Sequence, residues 1–300
     1  NDFAESIAKD DEAIYITGRT ATSGLSTTGV FQPNYAAGGA DAFLSKILVP
    51  EITDEDFPEV ADKGASTPVS VTLNAVGSST GKFWSKGITD EPDDWISEDV
   101  TPSGNTFTKT LNASDLTDPL GLTYYFEITD FSGARYLSTE GNTHLNYSGG
   151  LSIPGLRFGS KVEDYQIISI PLTLDNSAVT AVFNELGTYD KKKWRLFSYY
   201  ENDNREYPGF SSITPGNGFW LISKNNVGSI NTGAGRTVAA TESNPFEISL
   251  AQGWNLIGNP YDFTIIWQDV LDANNQLNGN EQLITFNNGI LAESTTLSRF

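Results

Sequence analysis

The chain has 300 residues, room for two or three domains, with 18 Lys and Arg against 38 Asp and Glu, one His, no Cys and no Met. Its formal net charge of −20 repels phosphate backbones and anionic lipid, which argues against a nucleic-acid partner. The missing thiols exclude disulfides, thiolate metal sites and Cys nucleophiles, and no run approaches the roughly 20 apolar residues of a spanning helix, so no direct membrane insertion is expected.

Six Trp, twelve Tyr and seventeen Phe accompany 28 Gly and 13 Pro. Set in short Val, Ile, Thr and Tyr runs between turns, they predict an all-β chain with little helix. Asn1 to Asp11 is polar and acidic and lacks the basic start and apolar run of a signal peptide. The chain therefore reads as a fragment whose targeting segment lies elsewhere.

In residues 1–47, the alternating run Ala13-Ile14-Tyr15-Ile16-Thr17-Gly18 predicts a strand, Thr20 to Thr28 a loop, and Asp41 to Ile47 a second strand. The segments Ala4–Asp10, Ile14–Thr20 and Gly38–Lys46, in that order and spacing, resemble one unit of the bacterial β-propeller repeat family called SBBP. The resemblance implies a propeller blade, a unit that buries its faces against neighbouring blades. Further blades are then expected before Asn1; otherwise the unit must dock on the next domain.

Residues 48–150 open with the acidic stretch Val49 to Lys63, which holds Pro50 and Pro58 and suits an exit linker or first edge strand. Val69–Leu73 and Asn105–Leu111 alternate strictly, and Lys82–Lys86 and Thr123–Ile128 add further strands. This rhythm predicts an immunoglobulin-like or fibronectin-like β-sandwich. Gly121 to Gly133 is similar to the late strand of fibronectin-like modules in bacterial surface proteins. Trp84 and Trp95 flank the Gly87–Asp94 loop and are the candidate ligand-binding residues, since pyranose faces stack on indoles. Packing within the sandwich is their competing role.

Residues 151–300 contain an internal duplication. Tyr165–Leu172 matches Trp254–Tyr261, Ala181–Gly187 falls opposite Asp269–Asn275, and Trp194–Tyr200 opposite Glu281–Asn287. Each copy reads as a strand ending near Pro171 or Pro260, a short helical turn, then a strand. Only the first copy continues into Pro215-Gly216-Asn217-Gly218-Phe219-Trp220-Leu221-Ile222, a turn feeding a buried strand. The module is therefore expected to be truncated, or completed by strands from other chain segments. Trp194, Trp220 and Trp254 are read as core. The phrases Gly253–Pro260 and Pro215–Ile222 look like those of modules in large secreted proteins of the Bacteroidetes group, many exported by type IX secretion, which implies an extracellular or cell-surface location.

Catalytic constellations are sparse. His144, the single candidate base of a Ser triad, sits in the polar stretch Gly141–Leu145 and reads as a surface-loop residue. The clusters Asp54-Glu55-Asp56 and Asp90-Glu91-Pro92-Asp93-Asp94 read as solvated loop charge rather than a glycosidase pair. Gly233–Thr237 lacks the remaining Gly and the Lys of nucleotide loops and reads as a hairpin turn. Ca²⁺ is the one candidate cofactor. Asp272, Asn274, Asn278, Asn280 and Glu281 surround Gly279 loosely as a Ca²⁺ loop does, without EF-hand spacing, and Glu201–Asn204 is a weaker second cluster. The sequence thus predicts a non-enzymatic structural and interaction segment of a large secreted or surface bacterial protein, serving adhesion through a protein or glycan partner. The alternative is a carbohydrate-binding accessory region of a secreted polysaccharide-degrading enzyme.

Overall fold

In Thr67–Leu73, Val69, Val71 and Leu73 are sealed from water while Ser70 and Thr72 are not, because successive strand side chains face opposite ways. Such patterning recurs along the chain. The computed structural model describes residues 2–10, 13–21, 41–74, 79–130, 132–200, 203–241, 244–274 and 281–298. It is all-β, with several largely antiparallel sheets and none closed into a barrel.

The first unit is a three-stranded sheet of β1 (Phe3–Lys9), β2 (Ala13–Thr20) and β3 (Asp41–Leu48), paired in chain order. β1 is exposed along its whole length, and Phe3, Ile7, Leu44 and Ile47 face solvent. The loop expected from Thr20 to Thr28 lies mostly outside the described residues.

The second unit packs two sheets face to face. One holds β4 (Ile52–Asp56), β6 (Thr67–Leu73) and β9 (Thr106–Leu111) in the order β4-β6-β9. The other runs β8-β7-β10-β12, built from β7 (Thr80–Gly87), β8 (Ile96–Val100), β10 (Gly121–Thr129) and β12 (Gly141–Tyr147). The short β11 (Arg135–Leu137) continues along β10. Between the sheets, Phe57 meets Tyr124 edge-on at 5.2 Å, and Phe83 meets Phe126 at 5.2 Å. Each fully buried ring among them, such as Phe83 or Phe126, contributes about 1.5–3 kcal/mol of transfer free energy.

The chain changes sheets at Phe57-Pro58. Pro58 has no N–H for a ladder, so β4 ends before it, and β5 (Val60–Asp62) resumes on the opposite sheet, parallel to β12 with Val60 beside His144. The Pro58 carbonyl is satisfied instead by the Thr143 hydroxyl at 2.6 Å. Gly121, at φ 129°, sits where a Cβ would strike the Thr143 carbonyl, so a side chain there would push β10 away from β12.

The third unit comprises β13 (Ser152–Ile153), β14 (Gln166–Ile168), β15 (Thr173–Leu174), α1 (Val179–Val182), β16 (Trp194–Tyr200), β17 (Asp203–Glu206), β18 (Phe219–Ser223), β19 (Ile230–Asn231) and β20 (Gly235–Arg236). Its main sheet is β14-β18-β16-β17. Ile168, Leu196, Phe219 and Leu221 project from it onto Val179, Val182 and Phe183 of the helical turn. Trp194 is fully buried there and Trp220, on the outer face, is half-buried.

The second and third units share a sheet. β20 pairs with β12 (Asn146 opposite Arg236) and on its other edge with β15, so the β8-to-β12 sheet continues into the third unit. Gly233–Thr237 therefore carries a bridging strand rather than a plain hairpin turn, because its backbone is claimed from both sides. Thr237 seals the joint: its N–H donates to the Leu145 carbonyl at 2.9 Å, its hydroxyl to the Leu120 carbonyl at 3.0 Å, and it accepts from the Leu145 N–H at 3.1 Å. Ile88, Leu120, Val238 and Ala240 form a small core across it.

The last unit repeats the plan of the third with β21 (Ile265–Ile266), α2 (Trp267–Ala273), β22 (Leu283–Asn287), β23 (Ile290–Ser294) and β24 (Thr296–Leu297). The bridge Ala178–Ser212 just before α1 has its counterpart in Ile266–Thr296 before α2. The bond from the Val179 N–H to the Ser211 carbonyl at 3.0 Å matches that from Trp267 to Thr295 at 2.9 Å. The hairpin ends Tyr200–Asp203 and Asn287–Ile290 also correspond.

Candidate functional site

The sandwich sheet places Trp84 on β7 and Tyr125 on β10 as register partners, both on the face away from the core because Phe83 and Tyr124 beside them point inward. Their rings lie 6.1 Å apart and nearly parallel, at 8°. Trp95, just before β8, meets the same Tyr125 edge-on at 5.0 Å and 70°. The two predicted indoles are thus brought together, and the ring joining them, Tyr125, is one the sequence reading left unassigned. Its signal was the alternation of Tyr124-Tyr125-Phe126, which sends every second ring outward.

Charge frames this patch. The Lys86 ammonium lies 5.7 Å from the Trp95 ring centre and donates to the Glu91 carbonyl at 3.2 Å. Arg135 grips Glu127 with two bonds of 2.9 and 2.6 Å, and Lys82 stands 3.4 Å from Asp99. Burial holds the Tyr125 hydroxyl above its usual pKa, with Glu127 adding to the effect. Both indoles are half-buried, and the Trp84 Nε1–H is buried without a hydrogen-bond acceptor among the described residues. Half-buried rings with a polar rim suit stacking against a flat ligand face.

The calcium cluster is only partly in view, since Asn278 and Asn280 lie outside the described residues. Asp272, at the end of α2, accepts from Gln268 at 2.8 Å, and the Asn274 amide donates to the Val270 carbonyl at 2.5 Å, so both serve the helix end. Glu281 lends its backbone carbonyl to the Trp267 indole at 2.8 Å. Among the described residues no three His, Asp or Glu side chains converge on one point. In the weaker cluster, Asp203 pairs with Arg205 at 2.7 Å, while Glu201 and Asn202 lie outside the described residues.

Further readings need correction. Trp220, read as core, is half-buried on the outer face between the inward Phe219 and Leu221, and Asp54-Glu55-Asp56, read as loop charge, lies on strand β4. His144 is not in a surface loop: it sits mid-strand in β12, half-buried between Gly121 and Val60, and burial lowers its pKa. Its polar neighbours disguise a strand whose inward positions are Thr143 and Leu145. Trp254 is not core but 69% exposed. Beside it opens a cavity of about 1030 Å³, lined by Trp254–Asn259 and Glu281–Asn288 of the last unit and by Gln166–Ser169 and Trp220 of the third. No protein-family model matches the chain, and no curated protein matches it.

Proposed function

We propose that this chain is a non-catalytic structural and interaction segment of a large secreted or cell-surface bacterial protein, holding β modules in fixed relation for adhesion or partner binding. The observation that carries this reading is the shared β12-β20-β15 ladder with its sealed Thr237. Domains on a free linker swing, whereas a continuous sheet transmits orientation, which is what presentation requires. In this reading the first unit is a propeller blade, whose exposed Phe3, Ile7, Leu44 and Ile47 suit burial against neighbouring blades. The second is an immunoglobulin- or fibronectin-like sandwich, supported by β4-β6-β9 facing β8-β7-β10-β12 with one strand switching sheets.

The absence of native Cys makes the test direct. Spin labels introduced at Thr101→Cys in the sandwich and Lys192→Cys in the third unit are expected to give one narrow distance distribution. A broad one would remove the rigid-presentation reading.

The Trp84–Tyr125–Trp95 cluster favours a second reading, a carbohydrate-binding accessory role. Saturable polysaccharide binding, followed by tryptophan fluorescence and lost in Trp84→Ala, would move it to first place.

A further inference from the structure

Five of the six arginines among the described residues pair with a carboxylate: Arg19 with Glu5, Arg135 with Glu127, Arg195 with Glu206, Arg205 with Asp203 and Arg236 with Glu59. Arg157 is the exception, in a chain of net charge −20. Its Nη1 donates to two uncharged acceptors, the side-chain oxygens of Asn287, at 3.0 Å, and of Asn288. Its Nε and Nη2 meet no acceptor among the described residues. That edge is the one with which Arg135 and Arg195 hold Glu127 and Glu206: in each pair Nε reaches one carboxylate oxygen and Nη2 the other, at 2.6 to 3.0 Å. The two parallel N–H groups match the two oxygens of a carboxylate.

Arg157 is held in place from both ends. The buried Gln166 carboxamide accepts from the Arg157 backbone N–H at 3.0 Å and donates to its carbonyl at 3.2 Å, and Gln166 is itself fixed on β14 opposite Leu221. Asn287 and Asn288 belong to the β22–β23 hairpin, with Asn288 at φ 51°. A guanidinium positioned before any ligand arrives lowers the cost of binding one. Arg157 borders the cavity of about 1030 Å³, where Glu281 is the single acidic residue of the lining among the described residues. The exposed Trp254 indole, and Trp220 and Phe286, which meet edge-on at 4.8 Å, supply aromatic surface to the same cavity.

We propose that this cavity binds a saccharide that bears a carboxylate, a uronic-acid sugar. Its carboxylate takes the Nε–Nη2 edge of Arg157, and an apolar pyranose face stacks on the Trp254 indole. The side-chain amide N–H groups of Asn287 and Asn288, whose oxygens serve Arg157, are donors for ring hydroxyls. The negative charge of the chain does not oppose this strongly, since salt screens charges beyond about 8 Å while a bidentate contact acts at short range. The inference rests on neither the rigid-presentation reading nor the Trp84–Tyr125–Trp95 patch, which lies on another unit.

The probe is trigalacturonate, titrated calorimetrically into the full 300-residue chain beside neutral galactotriose. The acid is expected to bind saturably and galactotriose at least about tenfold more weakly, a difference of about 1.4 kcal/mol. Arg157→Gln is expected to bring the acid down to the neutral level. Because Arg157 also ties two units together, the unfolding midpoint of that variant is measured with it. Trp254→Ala, at an exposed position, probes the same cavity with the fold intact and is expected to weaken both sugars. Equal binding of the two sugars, no saturable binding of the acid, or full acid binding by either variant overturns the proposal. So does acid binding lost in Trp84→Ala and kept in Trp254→Ala, which would seat the sugar on the sandwich. Pentaglutamate binding as tightly as trigalacturonate also overturns it, since the carboxylate would then come from a peptide.

Discussion

Leu196 and Leu283 hold the same place on equivalent strands of the two repeats, yet one is sealed at 0% exposure beside β18 and the other, at 6%, borders an open cavity. Around the first lie Phe183, Trp194, Phe219 and Leu221 in a continuous core. Around the second, Trp254, Ile266, Ile290 and Leu291 remain exposed. The two stretches share a plan and differ in closure. In the first copy the central strand supplies Phe219 and Leu221 to that core.

The sharpest way to break this comparison is to make the same truncation in both copies. Leu196→Ala leaves a sealed void and is expected to cost about 2–5 kcal/mol. Leu283→Ala only enlarges a space already open, so about 1 kcal/mol is expected from transfer alone. Urea unfolding followed by fluorescence measures both. Equal losses would mean that the second copy is as closed as the first.

The closure of the first copy extends to its joint with the sandwich, and a smaller effect tests this. Thr237→Val keeps the shape but leaves the Leu145 N–H and the Leu120 carbonyl without their hydroxyl partner. The expected cost is about 1–3 kcal/mol. Because the bond spans two units, calorimetry should also show their shared transition begin to separate. A single unshifted transition would show that β20 contributes little to the coupling.

Much of this was legible in the chain because it is written locally. Val69, Val71 and Leu73 alternate, so β6 reads off the sequence; Pro171 and Pro260 end equivalent segments, so the duplication does too. The joint was not legible. β20 is two residues, Gly235-Arg236, with no apolar alternation, and its partners lie far away in β12 and β15. Nor was the fate of Trp254, since its neighbours Leu256 and Ile257 resemble those of a core strand, and only the strand across from it decides its burial. At the aromatic patch the indoles were legible as a pair flanking a loop, but Tyr125 between them depended on knowing which strand lies beside β7.

The smallest effect sharpens the comparison furthest, because it isolates one ion pair. Glu206 on β17 receives two bonds from Arg195, at 2.7 and 3.0 Å, and one from the Tyr189 hydroxyl at 3.0 Å. The Arg195 bonds are the main reason that its pKa is pulled down to about 2, with Tyr189 and Lys191 assisting. In the second copy the register places Glu293 opposite Ile284 as Glu206 lies opposite Phe197, but the position of Arg195 is held by Gln282. A carboxylate whose pKa is lowered on folding stabilises the fold above its ordinary pKa of 4.5, and that contribution fades as the pH falls toward 2. Glu206→Gln is therefore expected to cost about 1 kcal/mol at pH 7, a partly exposed pair being weakened by solvent, and the difference from the unsubstituted chain should shrink below pH 4.5. Glu293→Gln should leave stability at pH 7 unchanged, since no guanidinium pairs with it among the described residues. If both substitutions cost the same at pH 7, the asymmetry between the copies does not reach their charged edges and is confined to the apolar packing around Leu196 and Leu283.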